Sequence, residues 1–437
     1  MAATGTHSNS RRTPAPRVGR PEHGAAQESI GYAVLGGGPA GLTGAYALAL
    51  REHPAVVFEA DGTVGGIAKT VEFNGYRFDL GGHRFFTKLK QVERMWEHLM
   101  GDDFLTRPRL SRIYFAGKYF SYPLTAKDVL GRLGLLESAR CALSYLWAQR
   151  KRGQQAETFE DWVTARFGKR LYDAFFRSYT QKLWGIPGTE IRSLWAAQRI
   201  KNFSLWKAGL TILGLKRDDV STLPLKDLIR SLDPPPPQEV LDAADRLRYR
   251  DFCLVALMTT EAEPFPDNWI YIHDPGTRAG RVQNFGSWSE DMVVPGTTCL
   301  GVEYFCFEGD DVWEMSSEDA VKMAKNEMAR IGLIDPDKVI DGVKVRVPKA
   351  YPTYDLQYEE AVDTIREYLS GFENLQPCGR NGLHRYNNQD HSMWTAILAA
   401  FNLAEGMDYD VWSVNTEEVY LEEGELVDAL LDVDLVH

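Results

Sequence analysis

The sequence predicts an α/β fold: a small parallel-sheet unit, with a mainly helical region and an antiparallel-sheet region interleaved into it. Three observations predict this. Residues 31–60 read strand, glycine-rich turn, helix, strand. From 125 to 215 the apolar spacing is mainly helical. From 250 to 310 aromatic and β-branched residues alternate with Gly and Pro punctuation, as in sheet.

The elements follow in order. Tyr32-Ala-Val-Leu35 is a short buried strand, Gly36-Gly-Gly-Pro-Ala-Gly41 a tight turn, and Leu42–Leu50 a buried helix of small apolar residues. Ala55-Val-Val-Phe-Glu59 is the second strand. Residues 88–100 form an amphipathic helix whose inner face is Val92, Met95, Trp96 and Leu99. Residues 111–122 alternate around Gly117, which predicts a hairpin. Thr158, three residues before Asp161, starts a helix and Gly168 stops it. Pro234–Pro237 predicts a rigid loop. Ser316 caps a helix ending near Gly332, another helix spans 357–369, and the last runs from about Asp390 to Gly406.

The chain has 437 residues, enough for two or three domains of roughly 100–200 residues each. Its net charge is −12, the wrong sign for a nucleic-acid binder. That charge is local. From Tyr386 to His437 there are 12 acids and no Lys or Arg, so residues 1–385 carry 49 charges of each sign. Five cysteines without a CxxC pair predict a reduced, cytoplasmic protein with neither disulfide framework nor metal site. No apolar run approaches the roughly 20 residues of a membrane span. Residues 1–29 read as a disordered tail, and 407–437 as an acidic terminal segment with a solvated face.

Gly36, Gly38 and Gly41 have the dinucleotide-binding spacing, with strand before and helix after. The first glycine makes the turn, the second admits a pyrophosphate, and the third lets helix and strand approach. The helix N-terminus offers free N–H groups to the phosphates. Glu59, 18 residues after Gly41, ends the second strand, where it can accept from ribose hydroxyls and would repel a 2′-phosphate. A second glycine motif, Val64-Gly65-Gly66-Ile-Ala-Lys-Thr70, follows directly. It resembles that of the FAD-dependent amine oxidase-like superfamily, so FAD is the expected cofactor. No second GxGxxG is present, which leaves NAD(P)H as a candidate external reductant only.

Gly75 to Thr87, with Gly-Gly-His at 81–83, resembles the loop of UDP-galactopyranose mutase-like and protoporphyrinogen oxidase-like flavoproteins. The resemblance implies a Rossmann-like FAD-binding domain and sets His83 beside the flavin. Further segments resemble the mutases. Lys182-Leu-Trp-Gly185 would bring Trp184 into a mobile cover over the substrate, and Gly280-Arg281 would hold its diphosphate. Ala350-Tyr351-Pro352 would lie by the sugar. Gly379-Arg380-x-Gly382-x-x-Arg385-Tyr386 would give the flavin an arginine and the diphosphate a tyrosine. The helix from Asp390 would aim its positive end at the flavin. Arg199 keeps one mutase-type position. Asn202 replaces a second diphosphate arginine, and Asn388 replaces an aspartate.

One more departure concerns the cofactor. Between Arg217 and Val220 the chain lacks the strands that would close the adenine side of the sheet, while the return strand ending Ser-Thr-Leu-Pro is kept. The expected division is 30–87 with 374–406 for FAD, 88–219 as a helical cover, and 220–373 as a sheet-rich substrate region. The resemblance implies a small-molecule substrate, a nucleotide sugar. Reduced flavin N5 would attack its anomeric carbon, and the ring would open and reclose with no net redox change. Two other readings stay open. One is an FAD-dependent oxidoreductase of the protoporphyrinogen oxidase or amine oxidase type. The other is a flavin-poor inactive homologue left by the missing segment. Sugar, nucleotide and oligomeric state are not legible.

Overall fold

The computed structural model describes residues 31–415 apart from 125, 150–155, 194 and 196–217. Two sheets organise it. The first is parallel, with strand order β13-β7-β1-β2. Its members are β1 (Tyr32–Leu35), β2 (Ala55–Phe58), β7 (Asp218–Ser221) and β13 (Leu375–Pro377). Helices α1 (Pro39–Leu50) and α11 (Gln389–Glu405) pack together over it. Small residues permit this: a side chain at Gly44 would already meet Ala396 at 3.6 Å. Val34, Ala47, Leu48, Val220, Ile397 and Ala400 fill the core between.

The second sheet has seven strands in the order β12-β8-β11-β10-β9-β5-β6. They are β5 (Ser111–Phe115), β6 (Lys118–Ser121), β8 (Tyr249–Thr259), β9 (Trp269–Ile272), β10 (Arg281–Asn284), β11 (Thr298–Cys306) and β12 (Val339–Pro352). All neighbours are antiparallel except β5 and β9. β8 is covered on both faces. Cys253, Val255 and Leu257 meet Ala320, Ala324 and Met328 of the Ser316-capped helix. Phe252, Leu254, Ala256 and Met258 face the opposite way, into a core that includes Trp184 and Tyr351. The hairpin of β3 (Thr70–Phe73) and β4 (Tyr76–Asp79) leads to the Gly81–His83 loop.

The local signals perform as physics requires. Thr158 Oγ1 accepts from Asp161 N at 3.2 Å, and Ser316 Oγ accepts from Asp319 N at 3.1 Å. Gly406 ends α11 at φ +66. Two expectations are corrected, and one element was not foreseen. Leu99 is 53% exposed, because α2 (Lys90–Met100) buries only Gln91, Val92 and Met95. The division at 219/220 cuts through β7, which belongs to the parallel sheet, so that sheet draws on three separate parts of the chain. The strand of 14 residues, β12, has no counterpart in the sequence reading. All five cysteines are buried and free. Among the described residues no helix is long and apolar enough to cross a membrane. The expected tail and most of the acidic segment lie outside the described residues.

Candidate functional site

Sterics dictate two of the three turn glycines. Gly36 sits at φ +106, and a Cβ there would lie 2.1 Å from Thr222 Oγ1, which donates to Leu35 O. A Cβ on Gly41 would lie 1.9 Å from Gly36 O. Gly38 differs. Its φ is −77, and a Cβ would meet Gly66 Cα only at 3.7 Å, an ordinary contact. The fold itself does not require a glycine there, which fits a position kept small for a ligand's approach. Gly38→Ala is therefore expected to change stability by under about 1 kcal/mol while weakening dinucleotide or flavin binding at least tenfold. Denaturation and ligand titration of one variant check both halves. Gly41→Ala is expected to do the reverse first, costing about 1–3 kcal/mol through overpacking.

The second glycine motif braces the first. Gly65 (φ +113) donates its N–H to Gly37 O at 2.8 Å, and Gly66 has φ +54. Glu59 accepts from Gly37 N at 2.6 Å and from Asp61 N at 2.9 Å. Its carboxylate is thus fixed at the end of β2, facing the turn.

Gly379 carries the site across to the other side of the α1 N-terminus. It adopts φ +83, and a Cβ would meet that of Ala40 at 3.0 Å. Its N–H donates to Thr395 Oγ1 at 2.9 Å, and its carbonyl accepts from Asn387 Nδ2 at 3.2 Å. Asp390 is buried in the first turn of α11, with its Oδ1 3.3 Å from His391 Nδ1.

Arg380 follows. Its guanidinium lies 4.2 Å from the centre of the Tyr386 ring and 5.1 Å from that of Tyr351. The two tyrosines stack at 5.5 Å with 17° between planes. Arg380 Nε and Nη2 are buried without a hydrogen-bond partner among the described residues. The Trp184 indole closes the group edge-on, 6.4 Å from each tyrosine, and its Nε1 is likewise without a partner.

Each aromatic has a device that places it. Gly185 at φ +70 ends helix α6 (Arg177–Trp184) and turns Trp184 inward. Lys182 Nζ donates to the carbonyls of Ile272, Asp274 and Ala279, at 2.9, 2.6 and 3.3 Å, tying that helix to the seven-stranded sheet. Burial pushes its pKa down to about 8. Trp184 is 1% exposed and packed in the core. Tyr351 is aimed by a bulge in β12 between Val347 and Tyr351. Asp251 pins that bulge by accepting from Lys349 N at 2.6 Å. Tyr386 N donates to Tyr354 Oη at 2.6 Å.

His83 and Arg281 complete the group. Burial, with Arg380 and Arg281 nearby, pushes the His83 pKa down to about 4, so the ring is neutral at pH 7. Its Nδ1 is buried without a partner among the described residues. Arg281 donates from Nε (2.9 Å) and Nη2 (2.5 Å) to Glu303 Oε2, and Glu303 has no exposed surface. The Nη1 edge faces Gly82, where a Cβ would come within 3.5 Å. A cleft of about 410 Å³ opens beside His83, lined in part by Arg84, Phe86, Arg107 and Trp288.

His83, Trp184, Arg281, Tyr351, Arg380 and Tyr386 are therefore one cluster. Gly36, Gly38, Gly41, Glu59, Gly65 and Gly66 form a turn at the other end of a path past Gly379. Arg199 and Asn202 lie outside the described residues. Two residues that the sequence reading missed belong here. Glu303 faces Arg281 across β11 and β10, a register no local signal reveals. Tyr179 is stacked on His273 at 4.4 Å, and its pKa is pushed up by burial and by Tyr271, Tyr351 and Glu303. Its place on the Trp184 helix was the available clue.

The comparisons agree with this architecture. A family model for an NAD(P)-binding Rossmann-like domain matches residues 34–99. A solved structure of reduced UDP-galactopyranose mutase is similar, with TM-score 0.74 and 17% identity, covering 91% of this chain and 99% of that one. A putative protoporphyrinogen oxidase from Exiguobacterium sp. 255-15 matches with TM-score 0.64 and 14% identity, covering 86% and 99%. A putrescine oxidase triple mutant, made to redesign cofactor binding, matches with TM-score 0.60 and 14% identity, also covering 86% and 99%. At these identities the likeness establishes a fold.

Proposed function

We propose that this chain, which has the α/β fold of the amine oxidase-like flavoproteins, is a flavoenzyme acting on a nucleotide-activated sugar. One observation carries the flavin reading. Arg380 is a half-buried cation whose Nε and Nη2 are buried and unpartnered among the described residues, set against aromatic rings and next to a neutral His83. Burying such donors costs free energy unless something accepts from them. An isoalloxazine, planar and rich in acceptors, matches that demand, and its phosphate would sit on the turn at Gly38. When reduced, a flavin bound there supplies electron density to an anomeric carbon.

The chain's own residues would do the rest. Tyr386 and the edge of Tyr351 would offer ring and hydroxyl to a sugar, with Trp184 packed behind them. Arg281 presents its Nη1 edge to a diphosphate while Glu303 holds it in place. His83, neutral across the physiological range, can donate or accept a hydrogen bond without adding charge. The same Arg281–Glu303 pair also favours a second reading, an amine oxidase or protoporphyrinogen oxidase type of oxidoreductase. A neutralised arginine attracts a diphosphate less strongly than a free one.

Redox bookkeeping separates the two. The flavin-loaded protein, reduced with dithionite under anaerobic conditions, should isomerise a nucleotide sugar from a small panel without consuming reductant. Turnover that instead needs a stoichiometric acceptor would transfer the assignment to the oxidoreductase. NAD(P)H should act there only as an external reductant.

A further inference from the structure

We infer that this chain grips a flavin by its ring and proximal phosphate and holds the adenosine half so weakly that FMN and FAD bind with comparable affinity. This rests on the flavoprotein reading above and names which cofactor forms the site accepts.

The argument starts from the edge of the parallel sheet. A dinucleotide whose pyrophosphate lies on the Gly36–Gly41 turn sends its second nucleoside past the end of β2, where Glu59 can take the ribose hydroxyls. Strands of parallel sheets are normally covered on both faces. β1 obeys this, with Ala33 and Val34 at 1% and 0% exposure. β2 does not. It is the last strand of its sheet among the described residues. Val56 is 41% exposed, Phe58 45% and Val64 55%. Asp61 and Gly62, which follow Glu59, are exposed as well.

A tight site buries roughly 70–90% of its ligand. At the β2 edge an adenine would find one wall, built from Gly37, Glu59 and Val64, the last two within 3.2 Å of where a Cβ on Gly37 would stand. Among the described residues β2 pairs only with β1, and Val56, Phe58 and Val64 stay exposed. Glu59 is also partly engaged already, since Gly37 N and Asp61 N both donate to it. The other end of the site contrasts with this. There Arg380, His83 and Trp184 hold buried atoms that lack partners among the described residues, and the α1 N-terminus at Gly38, which no side chain caps, can offer N–H groups to one phosphate. Both FMN and FAD carry every group this end can use.

The test is binding of oxidised FMN and FAD to the full chain freed of flavin, by fluorescence titration and calorimetry at one salt concentration. FAD no more than about tenfold tighter than FMN is the expected result. FAD tighter than that overturns the inference and leaves the flavoprotein reading in place. Saturable binding of neither overturns both. A Phe58→Ser variant supplies a second reading: with no contact to adenine, it should bind FAD with unchanged affinity. A selective loss of FAD binding, with FMN binding kept, would show that the edge encloses adenine after all.

Discussion

Arg281→Ala is expected to cost about 3–5 kcal/mol of folding stability, because it strands a buried carboxylate. Glu303 has no exposed surface, its Oε2 accepts both Arg281 bonds, and Gln283 Nε2 offers its other oxygen only a bond of 3.3 Å. The remedy is to remove both charges. Arg281→Ala with Glu303→Gln should recover most of the loss, since a neutral amide can be buried more cheaply. Urea denaturation of the two variants measures this. A single variant as stable as the parent would mean that the pair is not formed. Loss of nucleotide-sugar binding in Arg281→Ala alone is uninformative, because the fold is damaged too. In the double variant it becomes a clean measure of the Nη1 edge.

Arg380→Met should behave in the opposite way. The guanidinium lies against the stacked Tyr351 and Tyr386, and its buried Nε and Nη2 have no partner among the described residues, so the flavin-free protein bears the cost of unsatisfied charged donors. Methionine keeps the volume and the ring contact without that charge. The flavin-free variant is expected to be as stable as the parent or more so, while flavin affinity falls about 10- to 100-fold, the loss of one charge-assisted bond. Thermal unfolding with and without flavin reads both effects. A strongly destabilised variant that still binds flavin normally would make Arg380 a structural cation instead.

What was legible in the sequence was what local sterics and short-range hydrogen bonds decide. Gly41 is forced by Gly36 O five residues away, Gly36 by its own φ of +106 (the clash with Thr222 is tertiary), and the caps at Thr158, Ser316 and Gly406 need only their own helices. The Gly-Gly-His loop and the Arg-x-Gly segment could be found because motifs keep their spacing. Pairings set by tertiary register were not legible. Nothing near Glu303 marks it as the partner of Arg281, since only the β10–β11 register puts them face to face. Tyr351 was named by its motif, but its aim depends on a bulge held by Asp251, about 100 residues earlier. Leu99 fits the helical stripe, yet α2 packs too far toward its N-terminal half to cover it. That β2 ends its sheet among the described residues, with Val56 and Phe58 exposed, needed the fold.

The central claim is that the Arg380–His83 cluster holds a flavin. It is tested most directly by titrating the flavin-free protein with FAD and following flavin absorbance and fluorescence, with Arg380→Met as the paired sample. Saturable binding with a shifted, structured flavin spectrum, weakened in the variant, is the expected result. An unshifted spectrum at every concentration, or identical titrations for parent and variant, would contradict it and favour the flavin-free homologue.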